Sequence, residues 1–329
     1  MLRVMRILRK RTEVGVAVIT LVLIVGFTVT SQGIWLSAGN MREVLRVTSI
    51  LAIIAFGEAL VIAAGEIDIS VGSTFGIVGI IYIAIGPQIG TPLAIVIALG
   101  AALIIGSLNG FVVAYYRVSS LVVTLGSLFV FRGLALAATQ TASHYNAGAT
   151  MRANAIYRLF GASGVLGYNN ALVWALVILL ILQYVLFWTP IGNWLLAVGG
   201  NAESARSRGV SVMRTKWGAF IACAFLAGLA GILEAGDLGY ADGSLGRQRE
   251  LQAIAAAVLG GTALIGGRTS PVGTFLGAFV LSGISSYLVI KGMNPQWFIL
   301  LLGLIVVLVS LADHGLTRLV SKAATSRSV

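Results

Sequence analysis

Two carboxylates, Glu66 and Asp68, stand between apolar runs in the stretch LVIAAGEIDISVGSTFG, residues 60–76. Carboxylates so placed can exchange a proton, hold a cation, accept hydrogen bonds from a solute, or cap a helix. Glu58 and Arg132 are sharper anomalies, because each sits inside an otherwise apolar run. A charged side chain at the centre of a lipid bilayer costs roughly 2.5–3.5 kcal/mol on insertion scales, so both should face a bundle interior. They either pair with each other or line a path. Asn109 and Thr124 are milder cases of polar groups that either bridge helices or meet a solute hydroxyl.

Other chemistry finds no support. The single cysteine, Cys223, excludes an internal disulfide framework and reads as helix packing, and the only histidines, His144 and His314, are far apart. No metal ligand set and no catalytic residue is therefore assigned. Residues 261–269, GTALIGGRT, imitate a phosphate loop but carry Gly and Arg where Lys and Ser or Thr are needed. The chain is read as a non-enzyme with no cofactor of its own.

Elements that hold such residues follow from composition. Of 329 residues 58% are hydrophobic and 10% charged, with a mean hydropathy of +0.98. A soluble domain has roughly a quarter charged residues, so this is an all-α integral membrane protein. The 41 glycines fit close helix approach. A net charge of +11 reflects topology rather than a nucleic-acid partner.

A spanning helix needs about 20 apolar residues. Segments of that kind run over 14–30, 44–64, 71–85, 92–116, 121–140, 171–188, 217–236, 251–265, 272–290 and 297–312, about ten in all, three of them short. The first is read as a retained helix rather than a signal peptide, because its apolar run exceeds the usual one and more spans follow. With both termini cytoplasmic, 14 of the 22 Lys and Arg residues fall in inside segments and 7 outside, Arg132 lying within a helix. That bias satisfies the positive-inside rule. The whole chain, 1–329, makes one transmembrane domain with two long loops: 141–170 outside and 189–216 inside.

A diverged duplication relates spans two to five and seven to ten. Gly106 and Gly110 in the fourth span and Gly273 and Gly277 in the ninth share small-xxx-small spacing, though 106–113 answers 282–289 at a different offset. Repeats that pivot against each other produce alternating access.

Gly65, Asp68, Ser70 and Gly72 supply a helix break. There Asp68 or Ser70 accepts the free N–H groups that open the next helix, with Glu66 as a polar turn residue. Direct contact with a transported solute is the competing role. In the second loop, Asn201 caps a short helix with Glu203 in its first turn, and Gly209 ends it after Arg206 and Arg208.

Four segments then carry a resemblance: 65–73 (GEIDISVGS), 121–133 (LVVTLGSLFVFRG), 197–210 (AVGGNAESARSRGV) and 250–262 (ELQAIAAAVLGGT). In that order and spacing the chain resembles ribose-type sugar permeases, the membrane subunits of ATP-binding-cassette importers, in the superfamily that also holds branched-chain amino-acid permeases. The resemblance covers nearly the whole chain. It implies that loop 189–216 forms a coupling helix on the ATPase subunit, through Gly199, Gly200, Asn201, Glu203, Ala205, Arg206 and Gly209. It also implies that loop 141–170 lies near the docking face for an extracytoplasmic solute-binding protein, that a second permease subunit, identical or related, completes the pathway, and that ATP and Mg are held by the partner. Departures are Glu66 where the family commonly has glycine, Ser119 and Ser120 where it often has prolines, and Gln252 where aspartate is frequent; they bear on substrate identity.

The reading is a multi-pass permease in the cell membrane, surrounded by lipid, for a pentose, hexose or polyol-like solute, autoinducer 2 included. Weak, replaceable hydrogen bonds suit passage, because tight binding would trap the solute. Ser70, Asn109, Thr124 and Ser127 are the pathway candidates, with Glu58, Glu66, Asp68 and Arg132 as structural or gating groups. The rival is an ion-coupled secondary transporter in which Glu58, Glu66 and Asp68 carry a proton or sodium ion.

Overall fold

A computed structural model of the chain describes residues 12–139, 145–161, 164, 167–308 and 311. The basic residues of 1–11 and 312–329, with His144 and His314, lie outside the described residues. The architecture is all-α. Helices α1 (Thr12–Thr30), α2 (Ala38–Ala63), α3 (Val71–Ile89), α4 (Thr91–Tyr116) and α5 (Ser120–Thr139) are followed by the short α6 (Ala149–Ala153) and α7 (Ala155–Phe160). Then come α8 (Asn170–Trp188), α9 (Pro190–Gly200), α10 (Ala202–Ser207), α11 (Val212–Leu238), α12 (Arg249–Leu259), α13 (Pro271–Ile290) and α14 (Gln296–Leu308). Strands β1 (Tyr145–Asn146) and β2 (Tyr240–Ala241) pair antiparallel and tie the 141–170 loop to the end of α11.

Among the described residues, eight helices are long and apolar enough to cross a membrane: α1 to α5, α8, α11 and α13. Of the other two apolar runs, 251–265 makes a shorter helix, and 297–312 runs past the described residues, which show α14 as far as Leu308. Run 251–265 yields only the 11 residues of α12, because Gly261 takes a positive φ of 92° and turns the chain away. The amide of Thr262 then donates to the carbonyl of Ala257 at 3.0 Å, and the hydroxyls of Thr262 and Thr269 meet at 2.8 Å to close the turn.

Burial sorts the spans. The spanning windows of α2 and α11 are 83% and 72% buried, those of α1 and α5 only 11% each. A helix that is apolar all round and enclosed is central, whereas α1, α5 and α8 keep apolar faces outward, as lipid requires. α11 packs on α2, α3 and α4, while α13 packs on α2, α12 and α1. No hydrophobic effect drives helices together in lipid, so small residues set these approaches. A Cβ on Gly57 would sit 2.8 Å from Cα of Cys223, and one on Gly277 would sit 2.2 Å from the carbonyl oxygen of Ala256. Gly106 lies as close to Phe220 and Ala224. Both small-xxx-small pairs are therefore helix contacts.

The bundle has two polar ends. At one, Arg46 pairs with Asp237 at 2.8 Å, the side-chain amide of Asn169 donates to Asp237 at 2.8 Å, and the hydroxyl of Tyr157 donates to the carbonyl of Gly236 at 2.7 Å. At the other, α9, α10 and the 260–270 turn gather below the end of α2, where the amide of Gly267 donates to the carbonyl of Ala63 at 2.9 Å.

Candidate functional site

The first break, between α2 and α3, lies at this second end and is sealed. Gly65 takes φ 83°, turning the chain into an extended segment whose amides need partners. Three side chains supply them. Glu58 accepts from the amide of Asp68 at 3.2 Å, Ser120 from Ile67 at 3.3 Å, and Thr124 from Ile69 at 3.1 Å. Asp68 accepts from the amide and hydroxyl of Ser70 at 2.9 and 2.6 Å, just ahead of α3, so it fixes the turn into the helix while Ser70 occupies the cap position itself. Burial pushes the Asp68 carboxyl up to about 6 despite those two bonds.

The network continues into α4 and α5. The side-chain amide of Asn109 donates to the Ser70 hydroxyl at 2.9 Å, and the Ser127 hydroxyl donates to Asn109 at 2.5 Å. Ser70 and Asn109 are thus joined to Ser127, while Thr124 bonds instead to the amide of Ile69 and, at 2.8 Å, to the carbonyl of Ser120; Ser70, Asn109 and Thr124 are buried and Ser127 half-buried. Glu66 leaves the network and pairs with Lys216 at 2.5 Å.

Glu58 and Arg132 do not meet. Glu58 is wholly buried beside Cys223, whose sulfur lies 3.8 Å away. Arg132 reaches the carbonyls of Leu245 and Gly246, at 2.7 and 3.0 Å, in the segment between α11 and α12.

That segment repeats the first break. GEIDISVG at 65–72 and GYADGSLG at 239–246 agree at Gly, Asp, Ser and Gly, each 174 positions apart. Gly239 takes φ 71°, matching Gly65. Asp242 accepts from the amide and hydroxyl of Ser244 at 2.7 and 2.6 Å, as Asp68 does from Ser70. The breaks end opposite ends of the bundle and meet inside it. A Cβ on Gly72 would lie 2.8 Å from the Gly246 carbonyl oxygen, and one on Gly246 would lie 2.3 Å from that of Gly72. Equivalent residues touching reciprocally mark a local two-fold relation. Glu250 packs against the same spot, 1.9 Å from where a Gly72 Cβ would be.

The sequence reading missed this second turn, although its G-x-x-D-x-S-x-G spacing was the available signal. Small-residue spacing had given other offsets. Around it opens a cavity of about 430 Å³, lined by Asp242, Ser244, Arg247, Arg249, Gln252 and Ser282 among others. Arg249 is held by Glu234 at 2.9 Å and by Gln252 at 3.2 Å. Arg247 is exposed and makes no side-chain hydrogen bond among the described residues.

Loop 189–216 folds as its residues suggest. Asn201 caps α10, accepting from the amide of Ser204 at 2.8 Å; Glu203 is in its first turn, Arg206 in its last, Ala205 is buried beneath, and Gly209 follows at φ 84°. The helix is anchored by glycines. A Cβ on Gly199 would sit 1.8 Å from the Ala63 carbonyl oxygen, and one on Gly267 would sit 2.8 Å from Cα of Gly200, whereas Gly200 itself has room.

Enclosed central helices, outward apolar faces and paired polar breaks define a multi-pass membrane permease. Residues 40–310 match the family of branched-chain amino acid transport system permease components, and the chain belongs to it. It is 33% identical over 300 residues to the ribose import permease protein RbsC of Escherichia coli (strain K12), covering 91% of this chain and 92% of that one. It is 30% identical over 349 residues to the xylose transport system permease protein XylH of the same strain, covering 89% of each. To the autoinducer 2 import system permease protein LsrC of Enterobacter sp. (strain 638) it is 32% identical over 319 residues, covering 97% and 91%. No solved structure matches.

Proposed function

We propose that the chain is the membrane-spanning subunit of an ATP-driven importer that carries a monosaccharide or sugar-like solute into the cell: ribose, another pentose or hexose, or autoinducer 2. In this reading the end bearing α10 faces the cytoplasm. The observation that carries the mechanism is the pair of matching breaks, one sealed and one open on a polar cavity, which is the arrangement alternating access needs. The relatives' names supply the solute class.

The cavity suits a neutral, hydroxyl-rich solute. Its charges balance, Arg247 and Arg249 against Glu234 and Asp242, and its size falls in the ordinary range for small-molecule sites. Gln252, Ser244 and Ser282 offer uncharged hydrogen-bonding groups that a sugar can exchange as it moves. Ser70, Asn109, Thr124 and Ser127, with Glu58 and Asp68, act as the inner gate. Opening it exposes the same groups to the solute on its way in. Arg132 holds the outer turn by its backbone, and the Glu66–Lys216 pair stands at the inner mouth.

Energy enters through α10. A separate ATPase subunit, holding ATP and Mg, docks through Gly199, Gly200, Asn201, Glu203, Ala205, Arg206 and Gly209, leaving Arg208 on the membrane side, and the glycine contacts of Gly199 and Gly267 pass its closure to α2 and the first break. An extracytoplasmic solute-binding protein delivers the solute near α6 and α7, and a second permease subunit completes the pathway.

Reconstitution tests the reading. Vesicles that contain the permease with its ATPase, supplied with the binding protein and radiolabelled ribose, xylose or autoinducer 2, should accumulate one of them with ATP and no ion gradient. Uptake that needs a proton or sodium gradient and ignores ATP would establish the ion-coupled alternative.

A further inference from the structure

We propose that the groove between α8 and α11 seats one anionic phospholipid, with its phosphate on Arg208 and Arg214. A cavity of about 750 Å³ opens there, and its lining charges are the two arginines; no acidic residue lines it among the described residues. Neither guanidinium has a side-chain hydrogen bond or ion pair among the described residues, and both are exposed. The rest of the wall is mainly apolar. Through Leu182, Gly218 and Ala222 it continues into a second, almost wholly apolar hollow of about 390 Å³ that reaches Phe225.

Length and level fit a lipid. At 1.5 Å per residue, Arg214 to Phe225 spans about 16 Å, roughly one leaflet of a hydrocarbon core about 30 Å thick. Around the same end, Trp188 is 79% exposed, Trp194 48% and Tyr116 63%. Such amphipathic rings collect at headgroup depth, which puts the two arginines where a phosphate lies and the hollow where acyl chains lie. Basic pockets between membrane helices recognise anionic headgroups by this complementarity. A soluble anion would meet the arginines but leave the apolar groove without an occupant.

Native mass spectrometry of the full chain, stripped of lipid in detergent, tests this with three probes: phosphatidylglycerol, phosphatidylcholine and inorganic phosphate. One phosphatidylglycerol should bind per chain about 30-fold more tightly than phosphatidylcholine, the factor expected for two arginines near a headgroup. Arg208→Ala with Arg214→Ala should bring the two lipids to equal affinity. Gly218→Phe should remove both, because a Cβ at Gly218 meets nothing within 4 Å and the ring would fill the groove rather than disturb the helix. Equal binding of both lipids to the unaltered chain would overturn the proposal, as would unchanged phosphatidylglycerol binding in the double arginine variant. So would inorganic phosphate displacing phosphatidylglycerol while Gly218→Phe still binds it, or Gly218→Phe changing the oligomeric state in place of the lipid count.

Discussion

The turn at 65–72 and the turn at 239–246 share Gly, Asp, Ser and Gly at matching positions and the same Asp–Ser bonds, yet Asp68 and Ser70 are buried while Asp242 is half-buried and Ser244 exposed. The difference lies in what surrounds them. Around the first, α2, α4 and α5 bring Glu58, Asn109, Ser120, Thr124 and Ser127 to the amides and hydroxyls of the turn. Around the second, Arg132 holds the backbone from behind and the Asp242 side borders open space. One motif therefore makes a seal where neighbours close on it and a polar vestibule where they do not.

The sharpest way to break the comparison is at the contact between the turns. Gly246→Val puts a branched side chain at φ 77°, with its Cβ 2.3 Å from a backbone oxygen that cannot swing aside. Strain and clash together should cost several kcal/mol, at least about 3. Folded, membrane-inserted protein and uptake should both be lost, measured by detergent-solubilised yield and solute accumulation.

The next test separates the turns. Asp68→Ala removes the acceptor for a buried amide and hydroxyl and should lower stability by about 2–3 kcal/mol in thermal unfolding. Asp242→Ala, at the open turn, should cost no more than about 1 kcal/mol but reduce uptake at least tenfold if the cavity carries solute. Equal destabilisation by the two variants would end the distinction between seal and vestibule.

At the inner end, Gly267→Ala should cost about 1–2 kcal/mol, from its left-handed φ of 78° and its contact with Gly200, and should uncouple ATP hydrolysis from uptake. Gly200→Ala, which has space within the chain, should leave stability unchanged. The ratio of ATPase rate to transport rate reads the effect. Smallest is Glu66→Gln: the pair with Lys216 is partly exposed, at 16% and 20%, so its loss should change stability by less than about 1 kcal/mol.

How much of this was legible varied with the range of the interaction. The capped helix at 202–207 could be read directly, since Asn201, Glu203 and Gly209 act within a turn or two of chain. The inward placement of Glu58 and Arg132 followed from the cost of charge in lipid, but not their partners. Those partners are the amide of Asp68 and the carbonyls of Leu245 and Gly246, groups that every residue type carries and no letter announces. The 251–265 run reads as a span by hydropathy, whereas its conversion to a shorter helix and a turn rests on the left-handed glycines and on the close contact of Gly267 with Gly200. The repeat was visible only through its polar pattern, because glycine spacing recurs too often to fix an offset.

Sequence alone determined that this chain lives in lipid, where eight of its spanning helices fall, and that 201–209 forms a capped helix with balanced end charges. These depend on hydropathy summed along the chain and on caps acting within a few residues. Only the tertiary structure decided that Asp68 lies in a closed network and Asp242 beside a cavity. Burial is set by side chains distant in sequence, such as Asn109, 39 residues from Ser70, and by the α13 residues that border the opening.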